Sequence, residues 1–189
     1  MAIRIWVPNQ SDASETRVPL VPAVAKKLIA MGSQVTIESG VGLRAHHPDA
    51  AYVEAGASIA TNGDVWSNAD LVTTVGPPRL EQIGEMADGS ILIGLLAPFE
   101  NLRLFGTLAE KGVTAFSMEF IPRISRAQTM DVLSSQASLG GYMAAVIGAR
   151  ACPKMFPMMM TAAGTIAPAR VFIIGAGVAG LQAIATAKR

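Results

Sequence analysis

The sequence predicts an α/β protein: a doubly wound, Rossmann-like first domain on a mostly parallel sheet, followed by the beginning of a second Rossmann domain. Three observations predict it. Apolar runs of strand length alternate with helical patterns up to residue 118, the signature of parallel strands joined by crossover helices. Near residue 180 a glycine fingerprint stands between an apolar run and an alanine-rich helical pattern. Of 189 residues, 51% are hydrophobic and 15% charged, which fills a sizeable core and is unlike a disordered chain.

The elements follow in order. Strands are expected at IRIWV (3–7), QVTIE (34–38), DLVTTV (70–75), SILIGLL (90–96) and VTAFSM (113–118). Between the first two, LVPAVAKKLIAMG repeats Leu20, Val24, Leu28 and Met31 at helical spacing, with Pro22 early and Gly32 at the close. A second helix is expected over 101–111, closed by Gly112, and shorter ones over 48–55 and 80–86. Residues 127–150 can sustain one long helix despite Gly140 and Gly141. An irregular connector, 151–169, then leads to a strand, a tight turn and the start of a helix over 170–189. The expected domains are therefore 1–126, with 127–150 as the inter-domain helix, and an incomplete second domain from 170. In the connector, Met155, Met158, Met159 and Met160 suit flexible core filling better than a soft-metal site.

Composition narrows the function classes. Lys plus Arg number 15 against 14 Asp plus Glu, a formal charge of +1, so no overall positive field gathers a nucleic-acid backbone and nucleic acid is not an expected partner. Cys152 is the only cysteine; an internal disulfide and a Cys-based zinc site are excluded, and a reducing cytoplasm fits. The opening MAIRIWVPNQSDASETR has neither a secretory h-region nor an Arg-rich presequence, which predicts a chain that starts where translation starts. Its most apolar stretches, such as 90–98, fall well short of the roughly 18 residues a membrane span needs. His46 and His47 are adjacent before Pro48; neighbouring side chains diverge too far for an easy shared metal site, and no metal is expected.

Gly175, Gly177 and Gly180 form G-x-G-x-x-G directly after VFII and directly before a helical pattern. Such a turn lets backbone approach a pyrophosphate at a helix N-terminus, and its third glycine packs helix on strand. The alternative is a purely structural strand-turn-helix joint. An acidic residue that reads the ribose hydroxyls belongs roughly 20 residues further on, past Arg189, so these residues do not separate NAD from NADP.

The densest run of hydrogen-bonding side chains precedes the long helix: Arg123, Ser125, Arg126, Gln128, Asp131, Ser134 and Ser135. Some have a plain structural use, since Ser125 or Thr129 can cap the helix and an aspartate near its start opposes the helix dipole. Against that stands location, because loops at the carboxyl ends of strands line the ligand crevice of an open α/β sheet.

Several segments carry a resemblance: P-R-I-S-R-A-Q-T-M-D-V-L-S-S-Q-A (122–137), S-E-T-R-V (14–18), E-S-G-V-G (38–42), and T-A-A-G followed by V-F-I-I-G-A-G-V-A-G-L. Together, in order over nearly the whole chain, they resemble the alanine dehydrogenase and pyridine nucleotide transhydrogenase family, and within it the transhydrogenase branch. The resemblance implies two Rossmann-like domains flanking a cleft that binds NAD(H), mainly on the second domain. It also implies that Arg123, Gln128, Asp131 and Ser134 surround the nicotinamide. Implied partners are a domain holding NADP(H), a membrane domain that moves protons, and a second copy in a homodimer, with the assembly at the cytoplasmic face of a membrane. The chain by itself is then expected to be inactive.

The two branches need different chemistry. Oxidising an amino acid moves protons at the substrate centre, and the dehydrogenases carry a Lys and a His for it. Aligning D-L-V-T-T-V-G-P-P and L-I-G-L-L-A-P with the family puts Thr74 and Ala97 at those two positions, and neither is an acid or base. Hydride transfer between two nicotinamide rings needs only alignment and exclusion of water. Glu15 and Arg17 fit the family's E-x-R element, whose arginine binds a substrate carboxylate in the dehydrogenases; here a structural or supporting role is expected. The remaining alternatives are a non-catalytic nucleotide-binding or interaction module and an amino-acid dehydrogenase.

Overall fold

The computed structural model describes residues 2–9, 14–61 and 65–188. Residues 1, 10–13, 62–64 and 189 lie outside them, and with them parts of the expected chain start and the last residue of the expected second domain. The chain divides into two compact units, Met1–Phe120 and Ile121–Arg189.

The first unit is the expected parallel α/β sheet. Its strands are β1 (Arg4–Val7), β2 (Gln34–Glu38), β3 (Ser58–Ala60), β4 (Leu71–Thr73), β5 (Ile91–Gly94) and β6 (Thr114–Ser117). They lie in the order β3-β2-β1-β4-β5-β6, and every pair is parallel. The chain thus winds outward from β1 in one direction and from β4 in the other, so the order reverses between them and their carboxyl ends open a crevice. β3 escaped the sequence reading, since three residues are too few to show a period of two.

Alternation along β1 divides the core. Ile5 and Val7 face one side with Val35 and Ile37, while Trp6 faces the other with Val72 and Leu92. Register enforces this, because Ile5 sits opposite Val35 and Trp6 opposite Val72, and a one-residue slip would turn every one of these side chains out of its layer. Helices α1 (Pro22–Ala30) and α2 (Asp49–Glu54) supply Ala25 and Tyr52 to the first layer. Helices α3 (Leu80–Glu85) and α4 (Leu102–Glu110) supply Ile83, Leu104 and Leu108 to the second.

The buried stripe of α1 differs from the sequence reading. Val24 and Met31 are exposed, and Ala25, Leu28 and Ile29 pack inward. Spacing of three and four fits both sets; the strand it packs on selects the second. Pro22 sits in the first turn of α1, where its missing N–H costs nothing.

In the second unit, α5 (Val132–Ala151) begins five residues later than the expected long helix, because residues Ser125–Met130 form a separate 3-10 helix. The connector expected to be irregular holds a hairpin of β7 (Met159–Thr161) and β8 (Gly164–Ile166), paired antiparallel. The strand expected at VFII pairs with none of the described residues: 170–177 are irregular up to α6 (Val178–Lys188). A ladder needs a neighbour, and apolar composition alone does not supply one. No helix of the described residues is long and apolar enough to cross a membrane.

Tyr52 ties the first layer together. It is fully buried, its hydroxyl donates to the carbonyl of Leu20 at 2.9 Å, and burial, helped by the charge of Asp49, pushes its phenol up to about 12. Tyr52→Phe leaves that buried carbonyl without its donor and is expected to lower stability by about 1–3 kcal/mol in urea unfolding. Ultraviolet titration of the folded protein should lose one phenolate step below pH 11 relative to the unfolded chain, and the variant should lack the late step.

Candidate functional site

Within the second unit, the site is built on the start of α5. Asp131 is its N-cap: one carboxylate oxygen accepts from the backbone N–H groups of Leu133 and Ser134, both at 3.0 Å, and the other accepts from the Ser134 hydroxyl at 2.6 Å. Neither Ser125 nor Thr129 caps this helix. The bonds from the Ser134 hydroxyl and N–H outweigh desolvation and, with the Leu133 N–H and the charge of Arg123, hold the Asp131 carboxyl below its ordinary value. Because the folded value is the lower one, this capping contribution is complete above about pH 4 and fades as pH falls further. Two of the four expected site residues thus already have each other as partners.

Gly141 and Gly180 fix how the next element arrives. A Cβ on Gly141 would collide with the backbone carbonyl of Ala179, so α5 and α6 approach backbone to backbone, with Ala145 and Ala183 buried. The hydroxyl of Ser138 donates to the Gln182 side-chain oxygen at 3.5 Å across the same seam. A Cβ on Gly180 would collide with the carbonyl of Gly175, which itself has a φ of 100°. Together these contacts fold the turn onto the first turn of α6, whose N-cap carbonyl, that of Gly177, accepts from Leu181 N–H at 2.9 Å.

Gly177 has no such reason to be glycine. A Cβ there would meet nothing within 4 Å, and its φ is not among the positive ones. Neither packing nor backbone angle accounts for the residue, and the backbone there is open.

The turn and the polar loop meet. A cavity of about 310 Å³ is lined by Arg123, Ser134, Gly175, Gly177 and Gly180, with Leu133 and Ala137 as its α5 wall. It brings together five of the seven expected site residues. Asp131 reaches it only through Ser134. Gln128 stands exposed on the 3-10 helix and does not line the cavity. In chemical terms the cavity offers a helix N-terminus and a guanidinium for an anion, a hydroxyl, and an apolar wall. It offers no group for proton transfer.

The first unit holds a second cavity, of about 420 Å³, lined by Asn9, Glu15, Arg17 and Arg44 among others. There Glu15 grips Arg17 with bonds of 2.7 and 2.8 Å, so the arginine's charge is matched within the chain. His46 takes a φ of 60°, and His47 meets Tyr52 edge-on with ring centres 6.5 Å apart. Thr74 is buried, its hydroxyl without a hydrogen-bond partner among the described residues, and Ala97 has a φ of 44°. Glu119 opens the E-F-I-P-R run, yet nothing in the sequence singles it out; its carboxylate holds Ala97, through a contact no local pattern announces.

Residues 6–140 match the family described as "Alanine dehydrogenase/PNT, N-terminal domain", and residues 144–189 its C-terminal domain counterpart. The chain is 45% identical over 193 residues to the first part of the NAD(P) transhydrogenase alpha subunit of Rhodospirillum rubrum, covering 99% of this chain and 50% of that protein. Against alanine dehydrogenase of Bacillus subtilis it is 33% identical, covering 95% and 47%. The crystal structure of transhydrogenase from Sinorhizobium meliloti superposes with a TM-score of 0.93 at 43% identity, over 98% of this chain and 55% of that one. An L-alanine dehydrogenase structure superposes at 0.83 with 26% identity, over 98% and 52%. The chain spans about half the length of the curated relatives it matches.

The glycine geometry makes a stability prediction. Gly141→Ala and Gly180→Ala each force backbone apart and are expected to cost about 1–3 kcal/mol. Gly177→Asp enters open space and supplies a good N-cap, so its unfolding midpoint should match or exceed the parent's. Urea titrations of the three variants check this.

Proposed function

Because the chain belongs to the alanine dehydrogenase/PNT family, we propose that it is part of the NAD(H)-binding component of a proton-translocating NAD(P) transhydrogenase, which passes hydride directly from NADH to NADP held by a partner domain. The observation that carries the reading is the cavity shared by Arg123, Ser134 and the glycine turn, with Gly177 left open at its rim. Those residues fit a dinucleotide. Bound NAD(H) supplies the hydride chemistry itself.

The chain's own residues then bind, orient and keep water out. Gly175 and Gly177 let backbone lie against the pyrophosphate, and the N-terminal N–H groups of α6 face its charge. Arg123 and Ser134 orient the nicotinamide end, with Asp131 acting through the Ser134 hydroxyl that it fixes, and Gln128, outside the cavity, joins them on the family resemblance alone. Leu133 and Ala137 give that end an apolar wall. Amino-acid oxidation fits less well, because Thr74 and Ala97 stand at the positions where the dehydrogenases carry Lys and His, and neither side chain exchanges a proton near neutral pH. In this reading the partners are the NADP(H)-binding domain, a membrane domain and a second copy of the subunit, assembled at the cytoplasmic face of a membrane.

Two measurements test it, in a chain extended to the length of its relatives and assembled with an NADP-binding partner. Gly177→Asp should weaken NADH binding by tenfold or more, about 1.4 kcal/mol, without loss of stability; unchanged affinity removes the glycine turn from the site. Arg123→Ala and Gln128→Asn should slow stopped-flow hydride transfer by up to about 100-fold while NADH affinity falls far less. Asp131→Asn keeps the cap and should separate the two roles of Asp131: transfer slows while the melting temperature holds. Loss of stability with normal transfer would leave the polar loop as a capping element only.

A further inference from the structure

Within the second unit, the seam between α5 and α6 holds an ambiguity that small-residue packing alone does not resolve. The side of α5 that meets α6 is Ser138, Gly141 and Ala145, with Gly141 and Ala145 buried and the notch at Gly141 filled by the backbone of Ala179. One residue back along the helix, Ala137, Gly140 and Ala144 repeat the same small pattern. That second face is not used: Gly140 and Ala144 are exposed, and a Cβ on Gly140 would meet nothing within 4 Å. A roll of α5 by one residue, about 100° around its axis, would bring the second face under α6 and offer Ala179 an equal notch.

The two faces differ in chemistry at one position, where the used face has Ser138 and the unused one Ala137. The Ser138 hydroxyl donates to the Gln182 side-chain oxygen at 3.5 Å. Gln182 is held so as to present that oxygen: its amide donates to the Thr186 hydroxyl at 3.2 Å, and that hydroxyl donates to the Gln182 backbone carbonyl at 2.8 Å. Rolled onto the other face, α5 would offer Gln182 a methyl group instead. One hydrogen bond of ordinary strength shifts an equilibrium by up to about tenfold. That is enough to choose between two otherwise matched packings, as a single polar residue chooses the register of a coiled coil.

The choice decides what lines the cavity. Leu133, Ser134 and Ala137 line it together with the glycine turn; the roll would put Val132, Leu133 and Gln136 in their places and take the hydroxyl away. We infer that the bond between Ser138 and Gln182 is a roll lock on α5: it selects the face of Ser138, Gly141 and Ala145 and thereby keeps Ser134 in the cavity that takes NADH. Both are positioning residues, since neither lines the cavity. The service to NADH rests on the dinucleotide reading above; the lock itself does not.

The test moves the hydroxyl from one face to the other in a chain extended to the length of its relatives. NADH dissociation constant, melting temperature and the NMR methyl signals of Ala144 and Ala145 are read on the same samples. Ala137→Ser combined with Ser138→Ala should favour the rolled packing and weaken NADH binding by about tenfold. The two methyl signals should shift or double in that variant with no ligand present. Adding Gly140→Ala fills the competing notch, so the triple variant should return to within about threefold of the parent affinity, with parent-like methyl signals. Double and triple variants carry the same serine in the cavity wall, so a direct effect of that serine cancels between them. Gly148→Ala in place of Gly140→Ala brings the same gain in helix propensity, with ordinary contact to Phe156, and should restore nothing. A double variant that binds NADH as the parent does, or a triple variant no tighter than the double, overturns the proposal. Equal rescue by Gly148→Ala also overturns it, because affinity would then follow stability alone. A parent chain that binds no NADH overturns the dinucleotide reading and the lock's service to it, while methyl signals unchanged in the double variant overturn the lock itself.

Discussion

Two contacts that no side chain can occupy govern the candidate site: Gly180 against the carbonyl of Gly175, and Gly141 against the backbone of Ala179. The first folds the glycine turn onto its own helix. The second seats that helix against α5, whose N-terminal end carries Asp131 and Ser134. Side chains from a loop before α5 and backbone from a turn before α6 share a cavity only because both approaches are that close. A methyl group at either position would collide with that backbone and force the turn or its helix to shift.

What the site lacks is as informative as what it gathers. Its charged members are a guanidinium and a carboxylate, and the carboxylate is engaged by Ser134, Leu133 and its own helix. Such a set has a positive charge and a helix N-terminus to offer an anion, and no free acid or base among the residues that line the cavity. The first unit adds a matched ion pair at Glu15 and Arg17 and a buried hydroxyl at Thr74.

The sheet was legible in the sequence wherever an apolar run was long enough to show its period. β1, β2, β4, β5 and β6 fall inside their expected runs, and β3, three residues long, did not announce itself. The glycine fingerprint was legible because three constraints of different origin coincide in six residues. Only the structure separates them: Gly175 by its backbone angle, Gly180 by packing, and Gly177 by neither. The start of α5 was misread because Ser125, Thr129 and Asp131 are all competent caps, and the choice went to the residue that follows the 3-10 helix. Glu119 was invisible, since its partner Ala97 lies 22 residues away and is known as unusual only by its φ. The hairpin of β7 and β8 was hidden by methionines that carry no alternation.

The role of every residue in the cavity depends on where a dinucleotide lies. A crystal structure with NADH bound, of a chain extended to the length of its relatives, tests this most directly. It should place the pyrophosphate against the backbone at Gly177 and the first N–H groups of α6, with the nicotinamide beside Arg123 and Ser134. A pyrophosphate bound elsewhere, with the space at Gly177 empty, would contradict it.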